Sequence, residues 1–289
     1  MTATFDVRPV VFSGAAGALV GDRWGTGGVR GPVLMLHGGG QTRHSWDRAA
    51  RSLAAQGWDV VTLDARGHGE SAWAPDGDYG MDALVADLLR VRDQLAESAS
   101  TLPVLIGASM GGMTAMVAEG ELGGVARALV LVDIVPRVEL EGVQKIGDFM
   151  GSAPTGFASL DEVADAVAAY QPHRTRPDNV EGLRRNVRLA EDGRLYWHWD
   201  PAFIRPGEGL GADAEARHRR MADAARRITV PTLLVRGVLS DIVSAAGAAE
   251  LLELIPGATA VDVAGAGHMV AGDDNAIFVD QTAAFLRSL

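Results

Sequence analysis

The chain of 289 residues contains no cysteine and a single lysine, Lys145. The first absence excludes a disulfide framework, a thiolate nucleophile and any Cys-ligated zinc or iron–sulfur site. The second removes the GKS/T phosphate loop, which needs its lysine, so the glycine run Gly38–Gly40 is no Walker-type site. Basic charge is also scarce: 26 basic against 37 acidic side chains give a net charge of −11, the wrong sign for a nucleic-acid binder that works by displacing phosphate counterions. No stretch approaches the roughly 18–20 uninterrupted apolar residues of a membrane span. The opening residues MTATFDVRPVVF have no basic region followed by a long apolar run, so no signal peptide is expected. With 47% apolar residues the chain is too hydrophobic for disorder. A soluble, cytoplasmic globular protein is the expectation, with no membrane and no nucleic acid as partner.

What is abundant is glycine, 36 residues, and its clustering matters more than its total. Glycine lets the backbone take positive φ or lets another group come close. The clusters sit at the ends of strand-length apolar runs. Strands are expected at Phe5–Phe12, Ala18–Trp24, Val33–Leu36, Asp59–Leu63, Pro103–Ile106, Ala128–Val132, Pro231–Val235 and Thr259–Val263. Helical spacing separates them over Thr42–Gln56, Met81–Leu95, Met113–Glu119, Ala245–Leu254 and Ala276–Leu286. Such alternation predicts an α/β fold: a mostly parallel eight-stranded sheet with helices on both faces. From Arg137 to Arg227 the rhythm breaks. Helices are expected over Leu160–Tyr170, Val180–Ala190 and Ala212–Arg227 with no apolar strand run, so residues 137–227 read as an all-helical cap inserted into a core of 1–136 and 228–289.

The strongest chemical signal is Gly107-Ala108-Ser109-Met110-Gly111-Gly112, directly after one strand and directly before a helix. A GxSxG at that junction forces its serine into a sharp turn at a helix N-terminus, where backbone N–H groups favour negative charge. A serine needs a base, and the base an orienting carboxylate. His268 fits the first role, in a glycine-rich loop after the last strand; His44, His173, His198 and His218 lie on helices or in the insertion, and His68 in DARGHGES reads as a residue that holds loop shape. For the carboxylate, Asp241 after the strand TLLV is placed ahead of its rival Asp133, which follows ALVLV and reads as an anchor for the insertion. Acyl transfer also needs oxyanion donors. These are expected from the N–H of Met110 and, in the loop His37-Gly38-Gly39-Gly40, from Gly39, with Gly38 or Gly40 as alternatives. His37, Gly38, Trp197 and Trp199 are candidate substrate contacts, and the two tryptophans equally fit a clamp between cap and core. Arg174, Arg176, Arg184, Arg185 and Arg188 read as a solvated face.

In order and relative position, HGGG, DARGHGES, GASMGG, the aspartate of GVLSDIVS and the histidine of GAGHM resemble the α/β-hydrolase superfamily, over nearly the whole chain. The resemblance implies a serine hydrolase of the esterase or lactonase type with a helical cap, acting on a small or medium carboxylic ester or lactone without metal or organic cofactor. Ser109 stands where the epoxide hydrolases and haloalkane dehalogenases of this fold carry aspartate, which argues against those chemistries. HGGGQ departs from the HGxGPG form of the C–C bond hydrolases. A C–C hydrolase, a cofactor-free perhydrolase or haloperoxidase-like enzyme, and a non-catalytic ligand-binding member stay as alternatives. A homodimer stays open.

Overall fold

The computed structural model describes residues 7–25, 30–172, 176, 178–205, 213–270 and 276–289. Phe5, Ala212, His173 and Arg174, named above, lie outside these residues. The order of elements is β1 (Val7–Ser13), β2 (Ala18–Trp24), β3 (Pro32–Leu36), α1 (Asp47–Ala55), β4 (Asp59–Leu63), α2 (Met81–Ala96), β5 (Val104–Ala108), α3 (Met110–Leu122) and β6 (Ala128–Val132). The second half adds α4 (Leu140–Met150), α5 (Leu160–Tyr170), β7 (Val187–Leu189), β8 (Leu195–Trp197), α6 (Ala214–Ala225), β9 (Thr232–Gly237), α7 (Ala245–Leu254), β10 (Thr259–Val263) and α8 (Ala276–Arg287).

Eight strands form one sheet in the order β1-β2-β4-β3-β5-β6-β9-β10. The pairings β1/β2 and β2/β4 are antiparallel and the remaining five are parallel. Every residue of β3, β4, β5 and β6 is buried, as expected of parallel strands covered on both faces. The period-2 alternation splits these strands between two cores. Leu34, Leu105, Leu129 and Leu131 face α2, α3 and α6, whereas Val33, Met35, Ile106 and Val130 face α1 and α8. Among the described residues no helix is long and apolar enough to cross a membrane.

The sheet register explains where chemistry can gather. Leu36 pairs with Gly107, Gly107 with Leu131, Val132 with Val235, and Val263 with Gly237, so these strands end at one edge. The loops that follow them converge in the crevice beyond their carboxyl ends, where parallel α/β sheets bind ligands.

The segment between β6 and β9 is not all-helical. The helix expected over Val180–Ala190 is a 3₁₀ turn at Glu181–Asn186 followed by β7, which pairs antiparallel with β8. Val187 and Leu189 alternate with Arg188, and Gly193 takes φ 78° in the connecting turn after Asp192, a combination that favours a hairpin. α4 is a helix not foreseen from the sequence. α6 packs on the core helix α3, so closely that a Cβ at Gly120 would lie 2.2 Å from the Ala224 carbonyl oxygen.

Candidate active site

Ser109 sits between β5 and α3 with φ 44° and ψ −113°, a conformation L side chains rarely adopt. Close packing imposes it. A Cβ on Gly107 would fall 2.5 Å from the Gly111 carbonyl, and one on Gly111 would fall 2.4 Å from the Leu36 carbonyl oxygen. Only glycine lets strand and helix approach this nearly, and the turn between them must then be sharp. Ser109 N–H donates to Val132 O at 3.2 Å, tying the turn to the neighbouring strand.

His268, on the loop after β10, is 9% exposed in its side chain, and its Nδ1 lies 2.7 Å from Asp133 Oδ2. A carboxylate only accepts, so Nδ1 donates and Nε2 keeps its lone pair. Asp133 follows β6 directly, is fully buried and holds φ 48°. Its other acceptor sites are filled by Gly237 N–H at 2.9 Å and Ser240 Oγ–H at 2.5 Å. This corrects the expected carboxylate. Asp241 does not meet His268: its side chain is 47% exposed and its Oδ2 lies 3.3 Å from Lys145 Nζ at the surface. Asp133 is one residue past its strand, level with Ser109 in register, whereas Asp241 is four residues past β9, beyond the turn that Ser240 closes.

The loop after β3 supplies the opposing donors. Gly38 N–H donates to Gln41 Oε1 at 3.0 Å and Gly40 N–H to His68 Nε2 at 3.1 Å. Gly39 N–H and Met110 N–H have no acceptor among the described residues. The Gly38 carbonyl accepts from Gln41 N–H at 3.1 Å and from His37 Nδ1 at 2.8 Å. In a trans peptide the N–H points opposite to the C=O, so fixing the Gly38 carbonyl also aims Gly39 N–H. Gln41 Nε2 reaches Met269 Sδ at 2.8 Å, linking this loop to the one that carries His268.

His37 was expected as a substrate contact, and its position rules that out. It is 1% exposed, lies outside the large cavity, and accepts from Ala65 N–H through Nε2 at 2.9 Å. With His68 and His198 it forms a tier of rings behind the loop, His37 to His68 at 5.2 Å and His68 to His198 at 5.8 Å between centroids. Burial pushes the three down to about 4, 3 and 3 respectively, so all are neutral near pH 7. His68 does hold loop shape, as its position in DARGHGES suggests. The structural role of His198 was not foreseen; its place between two tryptophans, in the segment that meets the Gly38–Gly40 loop, is a signal visible only once that contact is known.

Above these groups lies a cavity of about 610 Å³. Ser109, Met110, His268 and Gly38–Gly40 form its floor, and Phe149, Tyr170, Trp197, Trp199 and Phe203 much of its roof. Trp197 and Trp199 are both buried and stack at 4.9 Å between centroids, and Phe149 stacks on Tyr170 at 4.3 Å. Both tryptophans line the cavity, and Trp197 packs on Phe149, Phe157 and Trp199, rings of the same 137–227 segment. Arg176, Arg184 and Arg185 pair with surface carboxylates, as a solvated face would, while Arg188 lies over the rings of Trp73 and Tyr196.

A family model described as alpha/beta hydrolase fold matches residues 31–274. The chain belongs to this family. This α/β hydrolase is 32% identical over 243 residues to the esterase Rv0045c of Mycobacterium tuberculosis, covering 82% of this chain and 75% of the relative. It is 27% identical over 260 residues to the 3-hydroxybutyrate-oligomer hydrolase of Cupriavidus necator, covering 85% of each. The solved structure of the M. tuberculosis esterase superposes with a TM-score of 0.74 over 98% of this chain and 92% of that one, at 29% identity. E-2-(acetamidomethylene)succinate hydrolase superposes at 0.81 over 98% and 99%, a likeness of fold at 23% identity. Relatives named as esterases and hydrolases support a hydrolase here too.

Proposed function

We propose that the protein is a serine hydrolase that cleaves a small or medium carboxylic ester or lactone through an acyl-enzyme. Ser109 Oγ attacks the carbonyl carbon as His268 Nε2 takes its proton, and Asp133 holds the imidazole and stabilises the imidazolium. The oxyanion is received by the N–H groups of Met110 and Gly39, neither of which has an acceptor among the described residues. His268 returns the proton to the leaving alcohol, then activates a water that releases the acid and restores Ser109. In a lactone the alcohol and acid leave as one molecule. The observation that carries this reading is the hydrogen bond from His268 to buried Asp133, on the rim of the cavity into which strained Ser109 opens.

The aromatic roof favours an apolar body on the acyl or alcohol side, and about 610 Å³ is ample for one. The test is a panel of p-nitrophenyl esters and lactones together with a fluorophosphonate probe. Turnover and labelling at Ser109 are expected, and both vanish in Ser109→Ala. Hydrolysis that persists in that variant overturns the mechanism.

A further inference from the structure

His198 belongs to the segment that follows β8, outside the sheet, yet the residue is 4% exposed and its ring is joined to two loops of the core. Its Nδ1 accepts from Gly69 N–H at 2.8 Å, in the loop after β4. That bond fixes the tautomer: Nε2 carries the hydrogen and points at the Gly40 carbonyl, 3.4 Å away. Gly40 is thereby held from both sides, its N–H by His68 and its C=O by His198. The consequence runs along the backbone. The Gly40 carbonyl shares a peptide plane with Gln41 N–H, which donates to the Gly38 carbonyl, and that carbonyl shares a plane with Gly39 N–H. One ring outside the sheet thus sets the tilt of two successive supports of the amide assigned to the oxyanion.

We infer that His198 is a positioning residue that aims the Gly39 N–H, so the oxyanion site is complete only while the 198–203 segment is seated on the core. This rests on the serine-hydrolase reading above. The seating has its own supports: Asp200 N–H donates to Gly67 O at 2.8 Å, Tyr79 Oη–H donates to Asp200 Oδ2 at 2.5 Å, and Phe203 meets the His68 ring edge-on at 4.7 Å. The ring of His198 is faced by His68 at 5.8 Å and by Trp199 at 5.2 Å. No acid among the described residues hydrogen-bonds or ion-pairs with it, and Asp64 is the carboxylate whose charge it feels. A neutral imidazole, acceptor on one nitrogen and donor on the other, is the group this position needs.

The test compares His198→Asn, which keeps an acceptor for Gly69 N–H but does not reach Gly40, with His198→Phe, which removes both bonds. Rates are measured with p-nitrophenyl acetate, whose acetyl group is too small to depend on the roof, and are normalised to active sites titrated with a fluorophosphonate. In both variants kcat per active site is expected to fall about tenfold or more, short of the 10²–10³ lost when an oxyanion donor is deleted, with KM within about twofold. In ¹⁵N-glycine-labelled protein the Gly39 and Gly40 amide resonances should move in both variants. Unchanged kcat per active site, a loss confined to KM, or unmoved Gly39 and Gly40 resonances overturns the inference. If the wild-type protein neither turns over esters nor labels at Ser109, the hydrolase reading fails, and the resonances alone decide whether His198 sets the loop.

Discussion

The floor and the roof of the cavity are built by different means. The floor and the acid behind it stand where sheet strands end and are fixed by hydrogen bonds: Asp133 accepts three, and Gly38 and Gly40 are bonded at both N–H and C=O, while Gly39 N–H and Met110 N–H have no acceptor among the described residues. The roof comes from α4, α5, β8 and the segment after it, and meets the cavity with stacked rings. A floor of fixed dipoles suits charge development, and a roof of aromatic faces suits recognition of shape without direction. Substitutions below should therefore act on kcat, and substitutions of the rings above on KM and choice of substrate, with His198, bonded to the floor loop, as the exception.

The sharpest break in that contrast is Ser109→Ala, for which kcat should drop by about 10⁶, the scale of nucleophile loss in serine hydrolases, with the fold intact by circular dichroism. Next comes the pair of carboxylates. Asp133→Asn leaves a group of the same size that no longer requires the Nδ1–H tautomer, and kcat should fall about 10⁴-fold. Asp241→Asn loses only a surface contact with Lys145, and its rate should stay within about twofold of wild type. Steady-state rates on one ester decide it; a large loss in Asp241→Asn and a small one in Asp133→Asn would reverse the assignment.

These two aspartates also mark how far the sequence can be read. Ser109 and His268 were legible because each sits in a glycine pattern whose backbone demands are local: the strand–helix approach at Gly107 and Gly111, and the open loop around Gly265 and Gly267. The choice between Asp133 and Asp241 depends on which strand end lies level with Ser109, a property of register between β5, β6 and β9 that no single segment contains. The central strands β3–β6 were readable for the opposite reason, since burial on both faces writes itself into continuous apolar runs. Beyond β6 that signal fades. α4 carries two interior glycines, Gly142 and Gly147, that lower its helix propensity, and Gly142 is there because the Asp241 carbonyl packs against it. The β7–β8 hairpin did have a local sign, Asp192-Gly193 between two alternating runs, which arginine-rich helical spacing obscured.

The three neutral histidines put pH into the comparison. His37, held at about 4, and His68 and His198, held at about 3, lie far below the ordinary 6.5 because burial disfavours their charge, with Arg43 adding to the effect at His37. The unfolded chain therefore binds more protons than the folded one between pH 6.5 and those values, so stability is full above about 6.5 and falls as the pH is lowered. Taking the shift of His37, the loss between pH 7 and pH 5 is ~2 kcal/mol per histidine. Urea titrations at the two pH values should show a lower midpoint at pH 5, and His68→Phe should flatten the dependence. A midpoint that rises on acidification would show that the tier is charged in the fold.

Among the groups that line the cavity, the smallest loss is expected in the roof. Trp199 is 3% exposed, stacks on Trp197 and stands over the Gly40 side of the floor, where a Cβ on Gly40 would lie 3.4 Å from its ring. Trp199→Ala should enlarge the cavity without touching a floor hydrogen bond. For an ester with an apolar acyl chain, kcat/KM should fall about tenfold, the range set by one pocket contact, mostly through KM. For p-nitrophenyl acetate, too short to reach the ring, kcat should hold within about threefold. Equal losses on both esters would mean that the stack supports the floor through His198, its neighbour in the chain, and that roof and floor are one unit in mechanism as well as in space.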